Sequence, residues 1–178
     1  FLGIAFGLML QSAGYSFLWA ILASVTIYAG SGQFALVGLL SGGASLLATA
    51  VMTLSINSRH IFYGLSFIEK FKSMGKRGLY MCFSLTDETY SLLCSTAVPD
   101  DLDWKKTFFL IALLDQSYWI CGSAIGALIG QFIPFNSEGV DFAMTALFVV
   151  IFVEQWLESK NHLPAIFGVV CSVICLLI

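Results

Sequence analysis

An all-α polytopic membrane protein is the fold class that this sequence predicts, and three observations predict it. Only 11% of the 178 residues are charged, 58% are hydrophobic, and the mean hydropathy is +0.90. A soluble domain carries about 25% charged residues, so a chain with less than half that share is solvated by lipid. Apolar segments recur near residues 1–13, 16–40, 44–68, 79–98, 107–133, 141–157 and 164–178, joined by short loops. The chain therefore reads as one integral-membrane domain over 1–178, a bundle of six to seven hydrophobic segments. Runs such as "LLATAVMTL" and "ALFVVIFV" do not alternate. In hydrocarbon each backbone amide must be satisfied within its own segment, which makes these segments helices and not barrel strands.

The first segment opens at "FLGIAFGLML", without a basic n-region or a small-residue cleavage site, so it is not a signal peptide. It and the closing run "AIFGVVCSVICLLI" fall short of the ~20 apolar residues of a spanning helix, and the chain reads as part of a longer protein. The second segment is interrupted by "AGSG" (Ala29 to Gly32) and the third around "NSRH". Small and polar residues at membrane depth are tolerated only against protein or a wet cavity, and Gly-interrupted helices point to a transporter's binding site. The other reading of Gly30 and Gly32 is close helix packing, which is how Gly122, Gly126 and Gly130 in "GSAIGALIG" are read.

Orientation follows from the basic residues. Lys70, Lys72, Lys76 and Arg77 share one loop, which the positive-inside rule places in the cytoplasm. If 79–98 crossed, Lys105, Lys106 and Lys160 would all lie outside. If it enters and returns, every Lys and Arg except Arg59 is cytoplasmic. With "SLTDETYS" at its centre, 79–98 is expected to be a re-entrant or broken hairpin. "QFALVGLL" (Gln33 to Leu40) is similar to "DFAMTALF" (Asp141 to Phe148), and "GIAFG" to "GSAIG", in the same order. With 79–98 not crossing, these copies would form an inverted repeat, a common secondary-transporter design.

Several function classes are excluded by what the chain lacks. A net charge of −3 without a basic stripe gives no nucleic-acid surface. The five cysteines (Cys82, Cys94, Cys121, Cys171, Cys175) have no CxxC spacing and read as small hydrophobes. GxSxG, HExxH, GxxxxGK[ST] and calcium-loop motifs are absent, so neither an enzyme nor a metal or cofactor site is expected. An ion or small-solute channel is the alternative to a carrier, since a broken helix with "AGSGQ" could line a pore.

Ionisable residues at membrane depth are Arg59, His60, Asp87, Glu88 and Asp115. A charge at the bilayer centre costs ~2.5–3.5 kcal/mol on insertion scales, so such groups face a cavity or one another. Arg59, His60, Asp87 and Glu88 are the candidate proton-coupling cluster, with His60 the natural carrier because its unperturbed pKa lies near ~6.5. The competing reading is an Arg59–Asp87 or Arg59–Glu88 bridge that only locks helices together. Gly30, Gly32, Gln33, Asn57 and Tyr63 are the candidate substrate-binding residues around the two helix breaks.

"GIAFG", "YAGSGQFALVGLL", "NSRHIFYGLS", "LTDETYSLL" and "VDFAMTALF" occur in the order seen in AzlC-type proteins, and from Gly3 to about Phe148 the chain resembles that family. Glu154 departs from the pattern expected there and is given no role. The resemblance implies the large subunit of a bacterial branched-chain amino acid exporter in the plasma (inner) membrane. It also implies export of valine, leucine or isoleucine (methionine as a further candidate), coupling to the proton gradient, and a small AzlD-type membrane subunit as partner.

Overall fold

The computed structural model describes residues 1–132, 142, 146, 149–150, 152–153, 156–157 and 162–177. Among them nine helices have defined bounds and no strand occurs. These are α1 (Leu2–Ser12), α2 (Phe17–Thr26), α3 (Gly30–Ser41), α4 (Leu46–Asn57), α5 (Arg59–Lys72), α6 (Lys76–Phe83), α7 (Asp87–Ser95), α8 (Trp104–Phe132) and α9 (Leu163–Leu177). The chain divides into two compact units, Phe1–Ser137 and Glu138–Ile178. Within the second, the His162 ring stacks on Trp156 at 4.2 Å.

Among the described residues α8 is the one helix long and apolar enough to cross a bilayer; α1, α2, α4 and α9 are apolar but shorter. At 1.5 Å per residue its 29 residues reach ~43 Å, beyond the ~30 Å of hydrocarbon. Helix α1 lies along its second half in the same sense: Gly3 meets Trp119 and Ser123, Gly7 meets Ser123 and Ala127, and Gln11 meets Gly130. Glycines make this approach possible. A Cβ on Gly7 would overlap the Ser123 carbonyl oxygen, and one on Gly126 the Ile4 carbonyl oxygen. In lipid, where apolar burial drives helices together weakly, such backbone proximity is what dispersion forces need.

Three of the expected segments are each two helices, as their interruptions predict. The second breaks at Ile27–Ala29, beginning two residues before the expected site and overlapping it at Ala29, with Tyr28 in the left-handed region (φ 40°). Gly30, Ser31 and Gly32 are instead the first turn of α3. An added Cβ at Gly32 would crowd Asn57 at 3.2 Å, whereas one at Gly30 would make ordinary contact with Glu88 and Trp119, and neither glycine has a positive φ. The Gln33 amide donates to Ser24 Oγ at 3.5 Å, and α3 packs on α1 with the Phe34 ring 6.0 Å from that of Phe6, so α3 folds back beside α1 and α2–α3 is a hairpin with Tyr28 at its tip. Ser45 caps α4, accepting from the Ala48 N–H at 3.2 Å, and α4 runs inward until Asn57 meets Gly32. The third segment breaks where expected, at Ser58.

From that junction α5 runs outward to the basic loop. There the Lys105 ammonium donates to the Ser73 carbonyl at 2.7 Å, Lys70 lies over the Phe108 ring, and Phe67, Phe71 and Phe108 share one core. The chain from Lys76 to Asp103 therefore starts and finishes at the same end. It forms a second hairpin: α6 runs in, with Arg77 over the Phe109 ring and Tyr80 bonded to Gln116, and α7 runs out from Thr89 beside Asp115 to Leu93 in the Phe67–Phe108 core. The break at Ser84–Thr86 is fixed by Thr86, whose hydroxyl accepts from the Thr89 N–H at 3.3 Å, with Asp87 and Glu88 in the first turn of α7. Acidic residues there complement the helix dipole. Six of the eight Lys and Arg residues thus gather at one end.

The inverted repeat drawn from the sequence does not describe α1 and α8. Residues 16–40 return to the end they left, so a single through-passage, α4 with α5, separates "GIAFG" from "GSAIG", and the two run parallel and pack together. "DFAMTALF" (141–148), Glu154 and Lys160 lie outside the described residues.

Candidate functional site where the two hairpin tips meet

The tips of the α2–α3 and α6–α7 hairpins meet beside the middle of α8, and most of the membrane-depth charge is gathered there. Tyr28 packs against Phe83 with ring centroids 6.3 Å apart. Gly30 lies so close to Glu88 that an added Cβ would sit 3.6 Å from its carboxylate, with Trp119 at 3.7 Å. Arg59 starts α5 and pairs with Asp87, Nη2 to Oδ2 at 2.6 Å, and the same nitrogen donates to Ser31 Oγ on α3. The Tyr63 hydroxyl, one turn along α5, donates to the other Asp87 oxygen at 2.7 Å. Asp87 is thus held by both Arg59 and Tyr63. The Arg59–Asp87 contact is the one ion pair among the described residues.

A second polar cluster joins the tips to α8. Asp115 Oδ2 accepts from Thr89 Oγ1 at 2.5 Å and from the Tyr28 hydroxyl at 3.3 Å, and Tyr80 donates to Gln116 at 2.6 Å. The charged site is therefore built from three broken segments and one straight helix. The reason lies in backbone chemistry: each break lets short helices deliver residues to mid-depth, where their freed polar groups find partners in neighbouring breaks.

An elongated cavity of about 620 Å³ leads away from this site. It begins at Ala29, Asn57 and His60, follows α5 past Gly64, and ends at Lys72 and Gly75 beside the basic loop. Its lining is mostly aliphatic and aromatic, and the volume falls within the ~300–1,000 Å³ range usual for small-molecule pockets.

The sequence-predicted residues are distributed as follows. Gly30 and Gly32 lie at the tip contacts, facing Glu88 and Asn57. Asn57 lines the cavity, and its buried Oδ1 has no hydrogen-bond partner. Gln33 does not share that cavity: it is fully buried between α3 and α2, one turn behind the tip. Tyr63 belongs with Arg59 and Asp87. His60 lines the cavity, with its ring 5.9 Å from that of Tyr63. Asp115 was noted in the sequence as an ionisable residue at membrane depth and given no role, yet it anchors the second cluster. The signal was a lone carboxylate in "IALLDQSYWI" with nothing nearby in sequence to neutralise it.

With that geometry established, comparison with known proteins adds an independent result. The AzlC protein family matches residues 1–133, three quarters of the chain and all of the helices that build the site. The chain belongs to the AzlC family. It is similar to the branched-chain amino acid transport protein AzlC of Bacillus subtilis, 41% identical over 178 residues, covering all of this chain and 70% of that one. An uncharacterized membrane protein of Haemophilus influenzae is likewise 41% identical, over 100% of this chain and 73% of its own. The Escherichia coli inner membrane protein YgaZ is 30% identical over 88% of this chain and 67% of its own. No solved structure matches. This AzlC-family chain is thus a membrane protein, and its hairpin-tip site lies wholly within the matched residues.

Proposed function

We propose that this protein is the large subunit of a secondary transporter that exports branched-chain amino acids across the bacterial plasma membrane. The observation that carries the reading is the charged site at the hairpin tips, placed at the head of an apolar cavity that leads to the basic end. The zwitterion's charged groups would be received at the tips by Asn57, the N-terminal turn of α3 at Gly30 and Gly32, and Glu88. The branched side chain would lie in the apolar cavity beneath them. Gln33 supports the tip from behind, and Tyr63 orients Asp87. The name of the Bacillus relative supports branched-chain amino acids as cargo.

Proton coupling is assigned to Arg59, His60, Asp87 and Glu88, acting within a single transporter domain of a multi-pass protein. His60 faces the cavity and can exchange protons with its contents. Arg59 binds both hairpins, through Ser31 and Asp87, so a change of charge at the site alters how the tips are held together. The family resemblance supports a small AzlD-type partner subunit. The test is counterflow of labelled leucine, valine and methionine in proteoliposomes, with and without such a subunit. Saturable exchange supports the carrier, whereas unsaturating current without exchange would make the protein a channel.

A further inference from the structure

We propose that Asp115 is a further proton-carrying residue of the transport cycle, acting beside the Arg59, His60, Asp87 and Glu88 cluster and distinct from the Arg59–Asp87 pair. This rests on the transporter reading above and adds to it a residue and a chemical event.

Three observations lead to it. Asp115 is the twelfth of 29 residues in α8, so it lies ~17 Å from the helix start, near the middle of the hydrocarbon. Its hydrogen-bond donors among the described residues are two neutral hydroxyls, from Thr89 and Tyr28, and no described cation pairs with it. Those two donors come one from each hairpin, so the carboxylate is where both tips attach to the straight helix. A carboxylate there alternates between a neutral acid and an anion, and its hydrogen bonds to both tips strengthen when it is charged. Proton loss tightens the grip of α8 on the tips and proton uptake loosens it. Asp87 cannot serve in this way while Arg59 compensates its charge in place.

The groups that face Asp115 are few. The α2–α3 break contributes Tyr28, α7 contributes Glu88 with Asp87 beyond it, and α6 contributes Tyr80, whose hydroxyl is taken by Gln116. Helices α1 and α2 carry no ionisable side chain. Glu88 is thus the nearest acidic competitor for the proton, and Arg59 is engaged with Asp87. A metal cation is the poorer fit. Thr89 Oγ1 and Asp115 Oδ2 are 2.5 Å apart in a direct hydrogen bond. Two oxygens on one cation would be spread wider, since each metal–oxygen bond is itself ~2.0–2.6 Å.

The experiment uses the full chain in proteoliposomes, scoring each variant for counterflow and for uphill accumulation under an imposed pH gradient. One pH unit supports about tenfold accumulation at one proton per substrate. Wild-type counterflow establishes the transporter; its absence would defeat that reading and not specifically this one. Asp115→Asn, which keeps shape and hydrogen-bond capacity, is expected to retain counterflow and lose all accumulation. Asp115→Glu is expected to restore accumulation with a shifted pH dependence. Thr89→Val, which leaves the carboxylate but removes the 2.5 Å donor, is expected to move the pH of half-maximal accumulation. Accumulation by Asp115→Asn at the wild-type level would overturn the proposal. So would loss of counterflow and accumulation together in a normally assembled Asp115→Asn protein, an unshifted profile in Thr89→Val, or wild-type accumulation driven by a sodium gradient instead of a pH gradient.

Discussion

Replacing Asp87 with Asn removes the carboxylate that pairs with the Arg59 guanidinium at membrane depth. Exposed pairs are worth ~0.2–1 kcal/mol, whereas removing one partner of a buried pair costs ~3–5 kcal/mol. The side chains here are 26% exposed for Arg59 and 11% for Asp87, closer to the buried limit. Insertion scales give ~2.5–3.5 kcal/mol for a lone charge at a helix centre. Allowing for the partial exposure of Arg59 and for its remaining contacts, Ser31 among them, Asp87→Asn should destabilise the protein by about 2–3 kcal/mol. Arg59→Met combined with Asp87→Asn should recover most of that loss, because the guanidinium that Asp87 paired with is then gone. Equilibrium unfolding in mixed detergent micelles reads both, and the double-mutant cycle isolates the pair. A single-mutant effect below about 0.5 kcal/mol, the range of ordinary surface substitutions, would refute the placement of the pair. A double mutant worse than the sum of the singles would do the same. If the double mutant is stable and transports against a gradient at the wild-type rate, the pair is a lock between helices and not part of the coupling machinery.

Five further outcomes are expected. His60→Gln should lose gradient-driven accumulation while keeping much of the substrate exchange, and an unimpaired rate under a pH gradient would remove His60 from the coupling set. Cysteines placed at Ser73 and Ala97, in a background freed of the five native ones, should be labelled from the same membrane face; labelling from opposite faces would rule out the returning α6–α7 hairpin. Gly7→Val should cost about 2–3 kcal/mol or prevent accumulation of folded protein, because its Cβ overlaps the Ser123 carbonyl. Gly38→Ala, where nothing lies within 4 Å, should be neutral or slightly stabilising, with both glycine variants read by thermal melting in detergent. Gly30→Leu should fill the contact between the tips and abolish exchange while melting near the wild-type temperature, and an active Gly30→Leu protein would move the substrate site elsewhere.

The helical membrane class was legible because it depends on composition, a property of the whole chain that no local exception reverses. The regions of the breaks were legible for a related reason: polar and small residues are so costly at depth that their clusters at "AGSG", "NSRH" and "TDET" had to mark relaxed geometry. Their exact form was not. Gly30 and Gly32 suggested where the helix opens, but the chain turns at Tyr28, and the glycines serve the approach of Glu88 and Asn57. That distinction depends on which side chains come near, which is decided by packing and not by local propensity.

Direction of travel was the least legible feature. A 25-residue apolar run such as 16–40 has the length of a crossing, and nothing in its own residues says that it folds back at Tyr28. The sign comes from contacts with other segments: Phe34 with Phe6, Gly32 with Asn57, and the parallel fit of Gly3 and Gly7 against α8. The same limit explains the passing over of Asp115. Arg59 and His60 stood out beside Asn57, and Asp87 stood beside Glu88, so pairing could be guessed from neighbours in sequence. Asp115 had no charged neighbour in sequence, and its two hydroxyl partners lie 26 and 87 residues away. A lone carboxylate on an uninterrupted membrane helix is thus the sequence feature to weigh most heavily, because its solvation must come from distant segments. In this fold those segments are the two hairpin tips.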